Sequence, residues 1–221
     1  MQIVYFVLAA LIGYLCGSVA FGYIYVRLVK GEDLRTIGSG RTGGTNSLRA
    51  AGLGVGILTS LSDVFKGFAA VWLTTRLFGH ALGPDLLPWA QATAGVLSVV
   101  GHNWSIFLKF GGGAGTGPNV GWSAAIWPWV LPIAFLVMGG LLYFVGMASV
   151  ASLSMAAVTI LAFAIRYFMG IDTTAAYLAG SIAAGLVVTW ALRPNIKRLM
   201  NGTERVVGRR AKKRQQQGEQ A

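Results

Sequence analysis

The stretch WPWVLP, residues 127–132, interrupts the longest apolar run of the chain, 118–148, and decides how many helices that run contains. Proline removes a backbone donor and crowds the preceding helical turn. Pro128 and Pro132 therefore either kink one span or divide the run into a hairpin of two short helices. Other apolar stretches flank it at 3–28, 53–79, 86–108, 150–168 and 174–192. Of the 221 residues 55% are hydrophobic and only 11% are charged, against about 25% charged in an ordinary soluble domain. This composition predicts an all-α polytopic membrane protein and excludes a soluble fold carrying one anchor. The N-terminus, MQIVYFVLAALIGYL, has no basic leader and no early small-residue cleavage site, so it reads as the first span. The single cysteine, Cys16, falls within that span, which rules out a cysteine-rich metal site.

Charge arbitrates the hairpin. Of the 18 basic residues, only Arg76 and Arg166 lie near the turns opposite the loops at 29–52, 109–121 and after 192. Basic residues concentrate on the cytoplasmic side of membrane proteins. The loops and the basic tail share one side only if 118–148 crosses twice. The expectation is about seven transmembrane helices, with the N-terminus outside and the C-terminus cytoplasmic. Residues 1–204 form one membrane domain and 205–221 a basic cytoplasmic tail. A single kinked span with the tail outside is the alternative. The net charge of +11 fits basic loops facing anionic lipid, an anionic substrate, or both. No basic stretch is interleaved with aromatics, so nucleic acid is not an expected partner.

The polar segments carry the chemistry. GSGRTGGTN, 38–46, can form a backbone nest for an anion, with Ser39, Thr42 and Thr45 adding hydroxyls and Arg41 and Arg49 adding charge. GGGAGTGPN, 111–119, is a second glycine-rich loop leading into a helix start, another arrangement suited to anions. Either loop alone could be a plain connector; two on one face favour phosphate. Neither continues into the GK[ST] of a nucleotide-binding P-loop, and no metal or cofactor is implied. Asp63 and Lys66 share a helix face and can simply pair. His102, inside an apolar stretch, needs a partner, either structural or in a site. Ser149 and Ser152 sit in small-residue company suited to helix packing, and Glu204 can cap or pair locally.

Taken in order, these segments resemble the PlsY family of bacterial acyl-phosphate:glycerol-3-phosphate acyltransferases. The likeness covers nearly the whole chain: GSVAFGYIYVRLVKGEDLRTIGSGRTGGTNSLRAAG (17–52), DVFKG (63–67), GHNWSIFLKFGGGAG (101–115), SVAS (149–152) and NIKRLMNGTE (195–204). It implies a seven-helix fold in the bacterial cytoplasmic (inner) membrane with the site on the cytoplasmic side. It also implies transfer of a fatty acyl group from acyl phosphate to the 1-hydroxyl of sn-glycerol 3-phosphate, giving lysophosphatidic acid and phosphate. Its partners would be these two substrates and membrane lipid, with a monomer expected. By the same resemblance Ser39, Arg49, Ser149 and Asn195 carry the reaction. Thr45, Asn46, Gly112, Gly113 and Gly115 match the family's substrate- and phosphate-binding positions, and Glu204 matches its more structural acid. Arg41, Thr116 and Arg193 are further candidates for holding phosphate, while Asp63, Lys66 and His102 are either structural or part of the site. Three positions depart from the family pattern most visibly. Gly111 and Ala114 stand where lysines are usual, and Leu192 stands where a histidine is usual. Arg41 replaces an asparagine and Gly44 an alanine. A non-catalytic or altered-specificity relative that binds an anionic lipid or phosphate metabolite is the alternative function these departures leave open.

Overall fold

In the computed structural model, which describes residues 2–208, the regular structure is helical throughout, with no strand among the described residues. The run holding WPWVLP is two helices. In chain order the helices are α1 (Gln2–Ser18), α2 (Phe21–Lys30), α3 (Gly44–Asn103), α4 (Thr116–Ile126), α5 (Val130–Phe144), α6 (Ala148–Phe168), α7 (Ala176–Ala191) and α8 (Arg193–Met200). Trp127 leaves the helical region at φ −137°, and Val130 begins the next helix. Pro132 then falls in the first turn of α5, where a missing N–H costs nothing. The basic residues from 209 onward, most of the expected tail, lie outside the described residues.

Three helical segments, Gln2–Lys30, Gly44–Asn103 and Ala148–Phe168, are long and apolar enough to cross a bilayer. The pair α7 and α8, bent by 62°, also qualifies when taken together. α3 is not one rod. It breaks at Gly52 (φ 88°) and Gly83 (φ 68°), backbone conformations that glycine tolerates without strain. The turn between the apolar stretches that end at 79 and begin at 86 is made by one glycine: the helix runs to residue 82, reverses at Gly83, and Pro84 opens the next segment. The third apolar stretch also ends sooner than its hydropathy suggested. α3 stops at Asn103, so His102 lies in its last turn and not deep within a span.

Small residues set the closest approaches. A Cβ at Gly13 would run into the Ala94 carbonyl, and one at Gly17 into that of Ser98, so α1 lies directly on the final segment of α3. In a bilayer such small-residue seams drive association through close van der Waals packing. α4 is buried between α3, α6 and α7. Its Trp122 is fully buried and stacks on Phe163 of α6, ring centroids 5.6 Å apart. The Trp122 indole N–H donates to Asn119 Oδ1 (2.9 Å), and Asn119 Nδ2 donates to Thr159 Oγ1 (3.2 Å), so α4 is tied to α6 by satisfied polar groups. Leu192, at the position where the family pattern has histidine, is 2% exposed and belongs to the core cluster of Val99, Trp122, Phe163 and Val188.

Candidate functional site

One cavity of about 760 Å³ gathers residues from every polar segment singled out in the sequence. Ser39 to Arg49, Ala114 to Gly117, Ala148 to Ser152 and Leu192 to Arg205 all contribute to its polar end. Four helical starts meet there: Gly44 of α3, Thr116 of α4, Ala148 of α6, and α8, whose N-cap is Leu192. Each helix start carries unpaired N–H groups and a partial positive charge, an arrangement that favours anions. Away from that end the wall is apolar, with Leu53, Ile57, Leu61, Leu131 and Phe135 both lining the cavity and exposed on the helical surface. The cavity therefore opens sideways between α3 and α5.

The first loop is built around the buried side chain of Asn46. Asn46 Oδ1 accepts from the Ser39 backbone N–H (3.1 Å), while Nδ2 donates to the carbonyls of Ile37 and Arg41 (each 2.9 Å). Asn46 is thus spent on holding the loop, although it borders the cavity. Ser39 Oγ accepts from the Arg41 N–H (3.4 Å), leaving its own proton available. Arg41 Nη2 donates to the Ala191 carbonyl (2.6 Å), clamping the loop to the end of α7. Its Nη1 is buried without a hydrogen-bond partner. Burial lowers the pKa of both Arg41 and Arg49, and the positive charges of Arg198 and Arg205 beside Arg41, and of Arg205 beside Arg49, add to this. A guanidinium remains charged regardless.

Opposite the loop, Glu204 collects three donors: Asn195 Nδ2 (2.7 Å), Ser149 Oγ (2.9 Å) and Arg198 Nε (3.0 Å). Burial pushes its carboxyl pKa up, but the hydrogen bonds from Asn195, Ser149 and Arg198 outweigh this and hold it below the ordinary carboxylate value. Asn195 Oδ1 and Thr116 Oγ1 stay buried and unpartnered at the cavity. Asp63 and His102 form the cavity floor. Behind them Lys66 Nζ lies 2.8 Å from Asp63 Oδ1, off the hydrogen-bond axis, and bonds His102 Nδ1 (2.8 Å) and the Val19 carbonyl (2.7 Å).

The expected residues do not all converge. Ser39, Arg41, Thr45, Asn46, Arg49, Asp63, His102, Thr116, Ser149, Asn195 and Glu204 line the cavity. Gly112, Gly113 and Gly115 stand behind its wall. Thr42 N–H donates to the Gly112 carbonyl (3.3 Å), Gly113 N–H donates to the His102 carbonyl (2.9 Å), and Gly115 (φ 81°) caps α4. A Cβ at Gly113 would strike the His102 ring, so this glycine makes room for packing. Arg193 is not in the cavity lining. It is exposed, with its guanidinium over the Trp190 ring (4.6 Å) and bonded to the Trp190 carbonyl, outside the cavity. Arg205, read from sequence only as the start of a basic tail, lines the cavity.

Comparison with known proteins shows the family. The profile of a family described as "Glycerol-3-phosphate acyltransferase" matches residues 7–202. A glycerol-3-phosphate acyltransferase of Halalkalibacterium halodurans is 35% identical over 198 residues, covering 89% of this chain and 93% of that protein. One from Gloeobacter violaceus is 39% identical over 196 residues, covering 88% and 91%. A crystal structure of PlsY, an integral membrane glycerol 3-phosphate acyltransferase in its glycerol 3-phosphate form, superposes with a TM-score of 0.78 at 32% identity. That match covers 92% of this chain and 96% of that one.

Proposed function

Because the chain belongs to the glycerol-3-phosphate acyltransferase family, we propose that it transfers a fatty acyl group from acyl phosphate to the 1-hydroxyl of glycerol 3-phosphate. The observation that carries the reading is the cavity's division. A polar end holds helix starts and arginines that have no carboxylate partner among the described residues, and it is continuous with an apolar wall open to the side. Such a cavity suits an acyl chain lying against α3 and α5 and two phosphate groups at the polar end. The similar PlsY crystal structures contain glycerol 3-phosphate in one form and lysophosphatidic acid in the other, which supports these ligands here.

The chemistry asks for orientation and charge stabilisation more than activation. The glycerol hydroxyl oxygen forms a bond to the acyl carbon, the carbon–oxygen bond to phosphate breaks, and the hydroxyl proton leaves with the released phosphate. In this reading Arg41 Nη1, Arg49, Thr45 and Thr116 bind phosphate oxygens, and Ser39 Oγ donates at the reacting end. Asn195 Oδ1 accepts from a substrate hydroxyl, with Ser149 and Glu204 holding Asn195 in place.

The concentration of basic residues at the cavity end supports a cytoplasmic site in the bacterial inner membrane, seven crossings, an external N-terminus and a cytoplasmic C-terminus. α4 and α5 are only 11 and 15 residues long, about 16 and 22 Å. That is short of a bilayer core of about 30 Å; α4 is buried by its neighbours, and α5, whose outer face is exposed, needs the bilayer to thin around it or its flanking residues to complete the crossing. A monomer contains the whole site. The test is purified protein given palmitoyl phosphate and glycerol 3-phosphate, with phosphate and lysophosphatidic acid both followed. Both products should appear, and Arg49→Ala should lower kcat/KM by about 10- to 150-fold, the loss of a charge-assisted hydrogen bond. Folded protein that forms neither product refutes the reading.

A further inference from the structure

The charges lining the cavity do not balance internally. Its two carboxylates are committed: Asp63 is ion-paired with Lys66, and Glu204 with Arg198. Three cations remain in the lining, Arg41, Arg49 and Arg205, and none has an ion-pair partner among the described residues. Like charges gathered in one concavity are unfavourable unless an anion joins them, and they raise its local concentration. Arg41 Nη1, buried in the same cavity without a hydrogen-bond partner among the described residues, is a cationic donor available to such a ligand.

Arg205 differs from the other two in its mounting. It sits on segment 201–208, which has no helical structure of its own beyond a turn and is held at two points. On one side Glu204, 3% exposed, takes its three donors. On the other, Val207 is buried and its N–H donates to the Gly146 carbonyl (2.8 Å). Between these anchors Arg205 is exposed and reaches the cavity from its solvent side. Of the two substrates in the proposed reaction, only the acceptor is a small water-soluble anion that must enter from solvent.

We infer that Arg205 is a further specificity-determining residue, a third guanidinium that captures the phosphomonoester of glycerol 3-phosphate at the cavity mouth and holds it against Arg41 and Arg49. The inference rests on the acyltransferase reading for the identity of the acceptor. It assigns the acyl-phosphate group no contact with Arg205, because that group arrives from the apolar side.

The experiment compares full-length wild type, Arg205→Gln and Arg205→Lys. KM is measured for each substrate with palmitoyl phosphate and glycerol 3-phosphate, and calorimetric binding is measured with glycerol 3-phosphate alone. Arg205→Gln should raise KM for glycerol 3-phosphate roughly tenfold, the scale of one charge-assisted contact. KM for palmitoyl phosphate should hold, and Arg205→Lys should recover part of the loss. Unchanged KM values overturn the inference. A rise confined to palmitoyl phosphate overturns it too, as does a fall in kcat alone that lysine does not rescue, which marks a structural strap. If wild type forms no product, the acyltransferase reading fails separately. Calorimetry then decides: weaker glycerol 3-phosphate binding by Arg205→Gln supports the contact, and equal binding refutes it.

Discussion

Glu204 is the peg on which the end of the described chain hangs, and replacing it by alanine should release segment 201–208. The carboxylate accepts from Asn195 Nδ2, Ser149 Oγ and Arg198 Nε within 3.0 Å. Arg198 is 31% exposed along its side chain and recovers water, so its ion pair contributes little. Ser149 and Asn195 are 2% and 8% exposed. Each loses a buried acceptor at about 1–3 kcal/mol. Water entering the space left by the side chain offsets part of this, so about 3 kcal/mol of local stability is at stake. The reporter is the Val207 amide, bonded to the Gly146 carbonyl. Hydrogen–deuterium exchange of a peptide spanning 201–208 should accelerate by roughly a hundredfold in Glu204→Ala. Glu204→Gln, which keeps the shape and one acceptor, should fall between. If folded Glu204→Ala exchanges in this segment at the wild-type rate, the anchoring argument is wrong.

Other expectations follow from single contacts. Gly67→Ala places a methyl group against the Pro118 backbone and should cost about 1–3 kcal/mol; a lowered melting temperature checks it, with Gly139→Ala, which meets nothing, as control. Lys66→Met strands Asp63, 4% exposed, without its cation, and should destabilise by about 3–5 kcal/mol. Adding Asp63→Leu should restore much of that in the same melting assay. Ala114→Lys places a cation on the cavity wall and should lower KM for the phosphorylated acceptor. Gly111→Lys, whose position does not border the cavity, should leave it unchanged. Glu204 also sets a pH dependence. Its folded pKa lies below the ordinary glutamate value of about 4.5, so the unfolded chain takes up protons first as pH falls. Its stabilisation is complete above that value and is lost as pH drops through the folded pKa. The melting-temperature gap between wild type and Glu204→Gln should therefore close on acidification below about 4.5.

Much of the fold was legible because it rests on signals a bilayer enforces. Apolar length marked the helices, and the lopsided distribution of arginine and lysine argued for dividing 118–148, where Trp127 does leave the helix. The misjudged boundaries have local causes. Hydropathy places a turn between 79 and 86 but cannot distinguish a loop from the reversal that Gly83 makes there. Nor does it mark where α3 ends, because Trp104 to Leu108 are as apolar as the helix before them. In the site, the polar loops announced themselves by composition. The roles of single residues did not, because they depend on which way a side chain turns. Arg193 lies over Trp190, and Arg205, one residue beyond the matched motif, faces the cavity. The glycines at 112, 113 and 115 looked like a phosphate cradle because cradles and tight packing draw on the same residue.

The cavity's polar end comes from four places in the chain, and Glu204, in the last of them, is made 155 residues after Arg49 (204 − 49). At about 5–20 residues per second, the glycine-rich loop and its arginines wait roughly ten to thirty seconds in a growing chain before Glu204 emerges to close the site. Biosynthesis thus gives the protein a built-in delay. A half-made chain already has its first glycine-rich loop, but not the segment that completes the cavity.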